Sequence, residues 1–296
     1  MTTRGITGIT TLYHYNRFVN DIDDDNTNNI SDTESLRYII DQTNSLIEQK
    51  CGRTFGSTTY KEWVEGEGTE YLVLGNYPIT KVKLVSTSSV DVLTVEATGF
   101  PLATVSSNNS SIVLDTIATT GTEVETVLNY SDYANVSSLV TAIDLVSGWT
   151  SEVLSNNEDA LTQFIRPIDS GWCLDEKAYL RGPYLGSNMR VAEYSNSTLE
   201  SVGGRCFVGD VFVWYVAGYT LPVCDDVGGT LEIEGNVPEG LTLVANAIIK
   251  DVFTAINEDT NMSDEKMGDY SYKRDGINSA IDRHWKDLQQ YSRKVV

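Results

Sequence analysis

The chain has 296 residues and carries 42 acidic against 21 basic side chains, a formal net charge of −21 at pH 7. So acidic a surface repels phosphate, which argues against a protein that wraps nucleic acid through backbone contacts. The length allows one sizeable core and a second, smaller one. No apolar run reaches membrane-spanning length, and the start, MTTRGITGITTLYHY, lacks the hydrophobic stretch of a signal peptide. We expect a soluble protein made in a cytosol, without a membrane partner.

An acidic run follows a short predicted helix near the N-terminus. Five of its side chains have the spacing of positions one, three, five, seven and twelve of a calcium loop: Asp21, Asp23, Asp25, Thr27 and Asp32. Two requirements of that loop are missing, because Asn26 replaces the turn glycine and Asp32 replaces the bidentate glutamate. The alternative is a solvated acidic stretch that favours the start of the next helix through its dipole, and we prefer it. No metal or cofactor is therefore expected.

A helix and a small β-meander are predicted next. Ser31 and Glu34 form a capping box, and the helical period of apolar residues continues until Gly52. Residues 60–64 and 69–74 alternate around EGEG, which indicates a hairpin, and residues 79–85 add a third strand.

The middle of the chain has a different composition. From Thr87 to about Gly204 it is rich in Ser, Thr and Asn, with short β-prone runs and one helix that Asn135 caps and Gly148 stops. We interpret residues 87–204 as an inserted, β-rich, mixed α/β domain. Residues 1–86 and 205–296 would then form a core of helices and the meander, so the predicted fold class is α+β.

The later part of that core has two strong signals. Residues 211–216 are apolar on both faces, which indicates a buried strand. Pro238 then precedes about five turns of helix with one broad apolar face. We expect this strand to pair with the meander across the insertion, because both need apolar cover.

The end of the chain is predicted to be helical again, from a cap at Asp275. Six of the 21 basic residues lie in the last 24 positions, against three acids. This concentration of positive charge indicates either a docking surface or a solvated helix face with favourable cations near its end.

Residues for catalysis are sparse. The chain has two histidines, His14 and His284, and no GxSxG, GxxxxGK, HExxH or GxGxxG motif. Two glutamate pairs, Glu65 with Glu67 and Glu232 with Glu234, lie in Gly-rich stretches where acids are usually just solvated. Four cysteines without a CxxC pair indicate free, mostly buried thiols. We therefore expect no catalytic residues and no enzyme.

Several segments, taken in order, resemble the head-to-tail connector, or adaptor, family of tailed bacteriophages. The first are the acidic run before a helix ending IEQKCGRTF, and the stretch YKEWVEGEGTEYLVLGNYPITKVKLV. The later ones are VFVWYVAGYTLP, the helix after Pro238, and MGDYSYKRDGI before the last helix. They cover the two ends of the chain, and their order is specific although each is weak alone. The long insertion departs from the compact members of the family.

The resemblance implies a structural virion protein of the phage neck, between capsid and tail. Such proteins form a homo-oligomeric ring, here expected to have twelve subunits, that docks beneath the portal protein and extends the DNA channel. The ring would offer the attachment site for a stopper or tail-completion protein, and its acidic lumen would pass DNA without specific binding. The resemblance also places a terminal helix against the portal, so the expected docking residues are Arg283, Trp285, Lys286, Leu288, Tyr291, Arg293 and Lys294.

An apolar seam between the subunits of such a ring is expected at Trp63, Tyr71 and Tyr77, or at the helix face around Phe253. A function of another class stays open beside this one. The Ser/Thr/Asn-rich insertion and five tryptophans would also suit a secreted or virion-surface protein that binds or cleaves glycans.

Overall fold

The structure is a computed structural model that describes residues 6–22, 33–154, 157–184, 191–195, 197–224, 231–259 and 277–292. It is a mixed α+β fold with several antiparallel sheets, which confirms the predicted class. The helices are α1 (Leu12–Ile22), α2 (Thr33–Cys51), α3 (Val136–Asp144), α4 (Glu239–Asp259), α5 (277–283) and α6 (Trp285–Leu288), with 3-10 turns at Thr162–Phe164 and Gln289–Tyr291. None of these helices combines the length and apolar character needed to span a bilayer.

The strands are β1 (Ile6–Thr7), β2 (Thr58–Thr69), β3 (Tyr71–Val73), β4 (Ile79–Ser86), β5 (Ser89–Ala97), β6 (Leu102–Ser107), β7 (Ser111–Ile117), β8 (Glu123–Asn129), β9 (Trp149–Val153), β10 (Ile168–Trp172), β11 (Ala178–Pro183), β12 (Val191–Ser195), β13 (Thr198–Ser201), β14 (Phe207–Ala217), β15 (Val223–Cys224) and β16 (Leu231–Ile233). They form five small sheets, whose orders are β1-β15-β16, β10-β6-β7-β8, β11-β5-β9, β12-β13-β3 and β2-β14-β4.

The chain divides into two compact units. Unit 1 comprises Met1–Thr58, Gly75–Thr80 and Ala217–Val296, and unit 2 comprises Thr59–Leu74 and Lys81–Val216. Strands β2 and β14 and most of β4 therefore belong with the middle of the chain, and not with its two ends. These bounds differ from the predicted division into residues 1–86 plus 205–296 and 87–204. Independent folding of residues 87–204 stays a prediction.

Unit 1 is built on the packing of α2 against α4. The predicted helical period of both segments is confirmed, since each presents a row of buried aliphatic side chains to the other: Leu36, Ile39, Ile40 and Ile47 on α2, with Leu241, Ala245, Ile248, Ile249 and Val252 on α4. Each large side chain contributes about 1.5–3 kcal/mol when buried. Together they make this helix pair the main source of stability in unit 1.

A buried polar network ties the N-terminal segment to the two helices. The backbone N–H of Thr10 donates to Asn44 Oδ1 at 3.2 Å, and Asn44 Nδ2 donates to the Thr10 carbonyl at 3.1 Å. The Thr10 hydroxyl donates to Asn246 Oδ1 at 2.6 Å. Because buried polar groups are costly without partners, this network fixes the segment in one position.

Unit 2 has a core of its own in the predicted insertion. Its buried residues come from β5, β6, β7, α3 and β11, and they include Leu93, Val105, Ile112, Leu139 and Leu180. Asn135 caps α3 as predicted, because its side chain accepts the backbone N–H of Ser138 at 3.0 Å.

The strand predicted at residues 211–216 is confirmed as β14, and it lies between β2 and β4 as expected. The hairpin predicted around EGEG is wrong, because β2 continues through those residues and β3 pairs with β13 instead. Gly66 explains the continuity: a β-carbon there would lie 2.6 Å from the carbonyl of Phe207, so the glycine allows the close approach of β14.

Candidate functional site

The residues predicted to dock a partner lie in unit 1, on α5, α6 and the turn that follows. The predicted single helix is interrupted at His284, where a turn separates α5 from α6. Leu288 is fully buried in the helical core beside Ile281, so it cannot act as an exposed anchor, contrary to the expectation. Its burial instead holds the segment on unit 1. We call the outward side of this segment the C-terminal surface, defined by Arg283, Trp285 and Lys286 together with Lys50 of α2.

A second attachment of the segment is made by Tyr77. Its hydroxyl donates to the carbonyl of Ser292 at 2.9 Å and lies 3.3 Å from that of Gln290. Tyr77 is only 5% exposed, which is too little for the expected seam between subunits, so that assignment is corrected. Tyr291 is half-buried beside Gly240, where a β-carbon would lie 2.8 Å from the tyrosine hydroxyl.

The Tyr77 ring also covers a buried arginine. The guanidinium of Arg53 lies 4.0 Å from the Tyr77 ring centroid and 4.8 Å from that of Phe55, and its Nη2 donates to the Tyr77 carbonyl. Burial raises the pKa of Tyr219, an effect that the charge of Arg53 opposes. Burial also raises the pKa of Tyr291, and the neighbouring Tyr77 adds to the increase. These phenols therefore stay neutral, and the cluster around Tyr77 and Arg53 has a structural role, which is to hold the C-terminal segment in place.

Most charges of the C-terminal surface are paired. Lys50 Nζ lies 2.8 Å from Asp282 Oδ1 and 5.4 Å above the ring of Trp285. Asp251 Oδ2 lies 3.4 Å from Arg283 and 3.3 Å from the ring nitrogen of His284. Lys286 is exposed, and the structure records no ion pair for it within the described ranges. The surface that is described therefore offers one unpaired cation and the half-buried indole of Trp285.

The remaining positive charge of this region belongs to Lys273, Arg274, Arg293 and Lys294, which lie outside the described residues. Their place in docking stays a prediction. Three of the four calcium-loop aspartates, Asp23, Asp25 and Asp32, also lie outside, and Asp21 belongs to the end of α1. Where the structure describes the chain, no group of three or more His, Cys, Asp or Glu residues could hold a metal ion.

The other residues predicted for a subunit seam differ in exposure. Trp63 is half-buried, and its ring packs against Phe212 at a centroid distance of 5.3 Å. Tyr71 is 54% exposed and available for a contact. Phe253 is half-buried and packs against the helical core of unit 1. Tyr71 is thus the only one of these residues that is largely free in a single copy.

The described residues that were considered for catalysis lie on several different elements. Glu65 and Glu67 are exposed on the continuous strand β2, and Glu234 is exposed after β16. Cys51, Cys173 and Cys224 are buried free thiols, and Cys206 is exposed. Burial raises the pKa of Cys51 to about 11 and that of Cys173 to about 12, so neither is a thiolate at neutral pH.

A basic and aromatic cluster in unit 2 was missed by the sequence analysis. Lys61 on β2 and Lys83 on β4 lie beside Trp214 of the central strand, with their ammonium groups 5.4 and 4.7 Å from the indole centroid. The ring of Phe164 packs against Trp214 at a centroid distance of 5.5 Å with an interplanar angle of 58°, and Lys61 lies 5.2 Å from the Phe164 ring. The only local signal was a lysine in each of the two predicted meander strands, Lys61 on β2 and Lys83 on β4. Their convergence depends on the insertion of β14 between these strands.

No protein-family model matches this chain, and no curated protein matches it at a significant level. The resemblance to the connector family therefore rests on the ordered segments of the sequence alone.

Proposed function

We propose that this chain is a ring-forming head-to-tail adaptor of a bacteriophage neck. It would dock beneath the portal protein, extend the DNA channel and provide the attachment site for a stopper or tail-completion protein. The proposal combines the ordered resemblance of the chain ends with the acidic net charge of −21, which keeps the affinity for passing DNA low. The expected ring of twelve subunits and the location in the virion neck belong to this proposal.

The observation that carries the proposal is the attachment of the C-terminal segment. Leu288 and Tyr77 hold the segment on unit 1 from inside, while Trp285, Lys286 and Arg283 remain on its outward side. A preordered surface loses little entropy when it binds, and a central aromatic residue with surrounding charge is a common arrangement of binding hot spots. This arrangement supports the proposal of a docking surface on the outward side of the C-terminal segment.

Coexpression with the portal protein tests the proposal. We expect the two proteins to copurify and electron microscopy to show a closed ring on one end of the portal. Trp285→Ala should weaken the complex about tenfold or more, since buried aromatic anchors dominate such interfaces. Lys286→Glu should weaken it most at low salt, because rim charges mainly steer association.

Arg205→Glu is the matched control for the charge change, since Arg205 is an exposed cation of unit 2 for which the described residues show no ion pair. It should leave portal binding unchanged. A chain that neither copurifies with the portal nor forms a closed ring would refute the proposed function. Unchanged portal binding by Trp285→Ala would instead move the docking role to another surface.

One observation favours a glycan-binding function as the second candidate. On the sheet β10-β6-β7-β8, Trp172, Thr104, Asp115 and Glu125 are paired in one row across four strands, and Trp172 is 52% exposed. An exposed indole beside hydroxyl and carboxylate groups can stack on a sugar ring and bind its hydroxyls. Screening the full chain on a glycan array, with Trp172→Ala as the variant, tests this candidate. Absence of binding would refute it.

A further inference from the structure

Two lysines of unit 2 share one aromatic partner and have no acidic partner among the described residues. Lys61 and Lys83 both lie against Trp214, and no carboxylate in the described residues is within ion-pair distance of either ammonium group. Lys61 donates instead to the side-chain oxygen of Gln163. Burial lowers the pKa of Lys61, and the nearby charge of Lys83 lowers it further. On a chain with twice as many acids as bases, this is an unneutralised concentration of positive charge.

The aromatic part of this cluster is the ring of Trp214, against which both ammonium groups lie. Trp214 itself is half-buried, and Lys83 is exposed. A cation beside an indole gains about 0.5–1 kcal/mol at an exposed site, which holds the ammonium groups in place without neutralising them. The cluster is therefore preorganised to receive negative charge.

A complementary cluster lies on the edge of another sheet of the same unit. Asp115 on β7 is directly opposite Glu125 on β8, and Glu123 is two residues from Glu125 on the same side of the strand. Side chains directly opposite in antiparallel strands lie close together, so like charges there repel. Burial raises the pKa of Asp115, and Glu125 and Glu123 raise it further. The structure records no basic partner for these three acids in the described residues.

We propose that the cluster of Lys61, Lys83 and Trp214 on one copy binds the row of Asp115, Glu123 and Glu125 on a second copy. Each copy carries both surfaces, and the two surfaces are different, so the contact is head to tail. Contacts of this kind produce a closed ring when a whole number of identical rotations from one subunit to the next adds up to a full turn. The inference rests on the proposed ring function for its biological meaning, and it assigns the subunit contact to surfaces outside Trp63, Tyr71 and Tyr77.

Charge complementarity favours a second copy over nucleic acid as the occupant. A net charge of −21 repels a polyanion at long range, whereas two copies can orient so that each lysine cluster faces an acidic row. The acids are also accessible, since β8 is the outer strand of its sheet and Glu123 and Glu125 are exposed. Pairing the clusters relieves repulsion on both sides of the contact.

Charge reversal in the full chain tests the contact. Self-association is measured by sedimentation velocity and mass photometry over a range of protein concentration, at low and high salt. Lys61→Glu with Lys83→Glu should weaken it by about tenfold or more, and so should Glu123→Lys with Glu125→Lys. Exchanging all four charges in one chain, or mixing the two double variants, should restore association. Lys177→Glu with Arg205→Glu makes the same change in net charge on exposed residues outside both clusters, and it should have no effect.

A second measurement needs no substitution, because Lys61 is partly buried and its reversal can impair folding. Isotopically light and heavy copies of the wild-type chain are mixed and treated with a carbodiimide, which joins lysines to carboxylates in contact. We expect mixed-isotope peptides that link Lys61 or Lys83 to Glu123, Glu125 or Asp115. Their absence from concentrated protein would overturn the inference. So would a wild-type chain that stays monomeric at every concentration, or charge-reversed pairs that fail to restore association.

The remaining outcomes separate this inference from the proposed function. Rings that still form on the portal with both charge-reversed variants would refute the contact and leave the adaptor function intact. Self-association that depends on the two clusters, in a chain without affinity for the portal, would support the contact and refute the adaptor function. Binding of short duplex DNA in a fluorescence anisotropy assay, lost in Lys61→Ala with Lys83→Ala, would assign the lysines to nucleic acid and overturn the inference.

Discussion

Leu288→Ala measures how firmly the C-terminal segment belongs to the helical unit. The side chain is fully buried and lies in the same cluster as Ile281 and Ile248. Replacing a buried leucine by alanine costs about 2–5 kcal/mol, as lost transfer free energy plus the cavity that remains. Because α6 is a single turn of four residues, its surroundings can partly collapse. We therefore expect the lower half of this range, about 2–3 kcal/mol.

Urea unfolding followed by far-ultraviolet circular dichroism gives the free energy of unfolding, since most of the helix lies in unit 1. Amide hydrogen exchange then shows which unit loses stability. Protection against exchange should fall in α2 and α4 of unit 1 and stay unchanged in β5 and β11 of unit 2. Lys286→Ala is the matched control on the same short helix. Its side chain is exposed, so its effect should stay within about 0.5 kcal/mol.

Two results would refute this reasoning. A Leu288→Ala variant as stable as the wild type would show that α6 contributes nothing to the core of unit 1. Equal loss of protection in both units would show that the two units unfold as one, so the effect could not be assigned to the helical core.

Three further predictions concern unit 2 and the thiols. Gly66→Ala should destabilise unit 2 by about 1–3 kcal/mol in urea unfolding, because the added β-carbon would lie 2.6 Å from the backbone of β14. The control variant Glu65→Ala, at the exposed neighbouring position, should leave the stability of unit 2 unchanged. Iodoacetamide should label Cys206 in the native protein and spare Cys51, which is buried with a pKa of about 11; equal labelling would contradict the burial. Replacing residues 87–208 by a short linker should preserve the helical signal and the cooperative melting of unit 1. Loss of all cooperative unfolding would refute separability.

The sequence alone determined those helices and strands in which the burial of side chains follows a regular pattern along the chain. The apolar period of α2 and α4 identifies the faces that pack in unit 1, and the two-sided apolar character of residues 211–216 identifies β14 as a buried strand. The cap at Asn135 was also predicted correctly, because a capping side chain bonds to a residue three positions away. These features depend on neighbours in sequence, which is why local patterns are sufficient to predict them.

Only the tertiary structure decided which elements are partners. The position of β14 makes β2 a continuous strand through Gly66 and brings Lys61 and Lys83 together on Trp214. In the same way, Tyr77 and Leu288 were expected on the surface and are buried, Tyr77 against the C-terminal segment and Leu288 in the helical core of unit 1. Periodicity reports which side of a helix or strand is covered, and it carries no information about the residue, far away in sequence, that covers it.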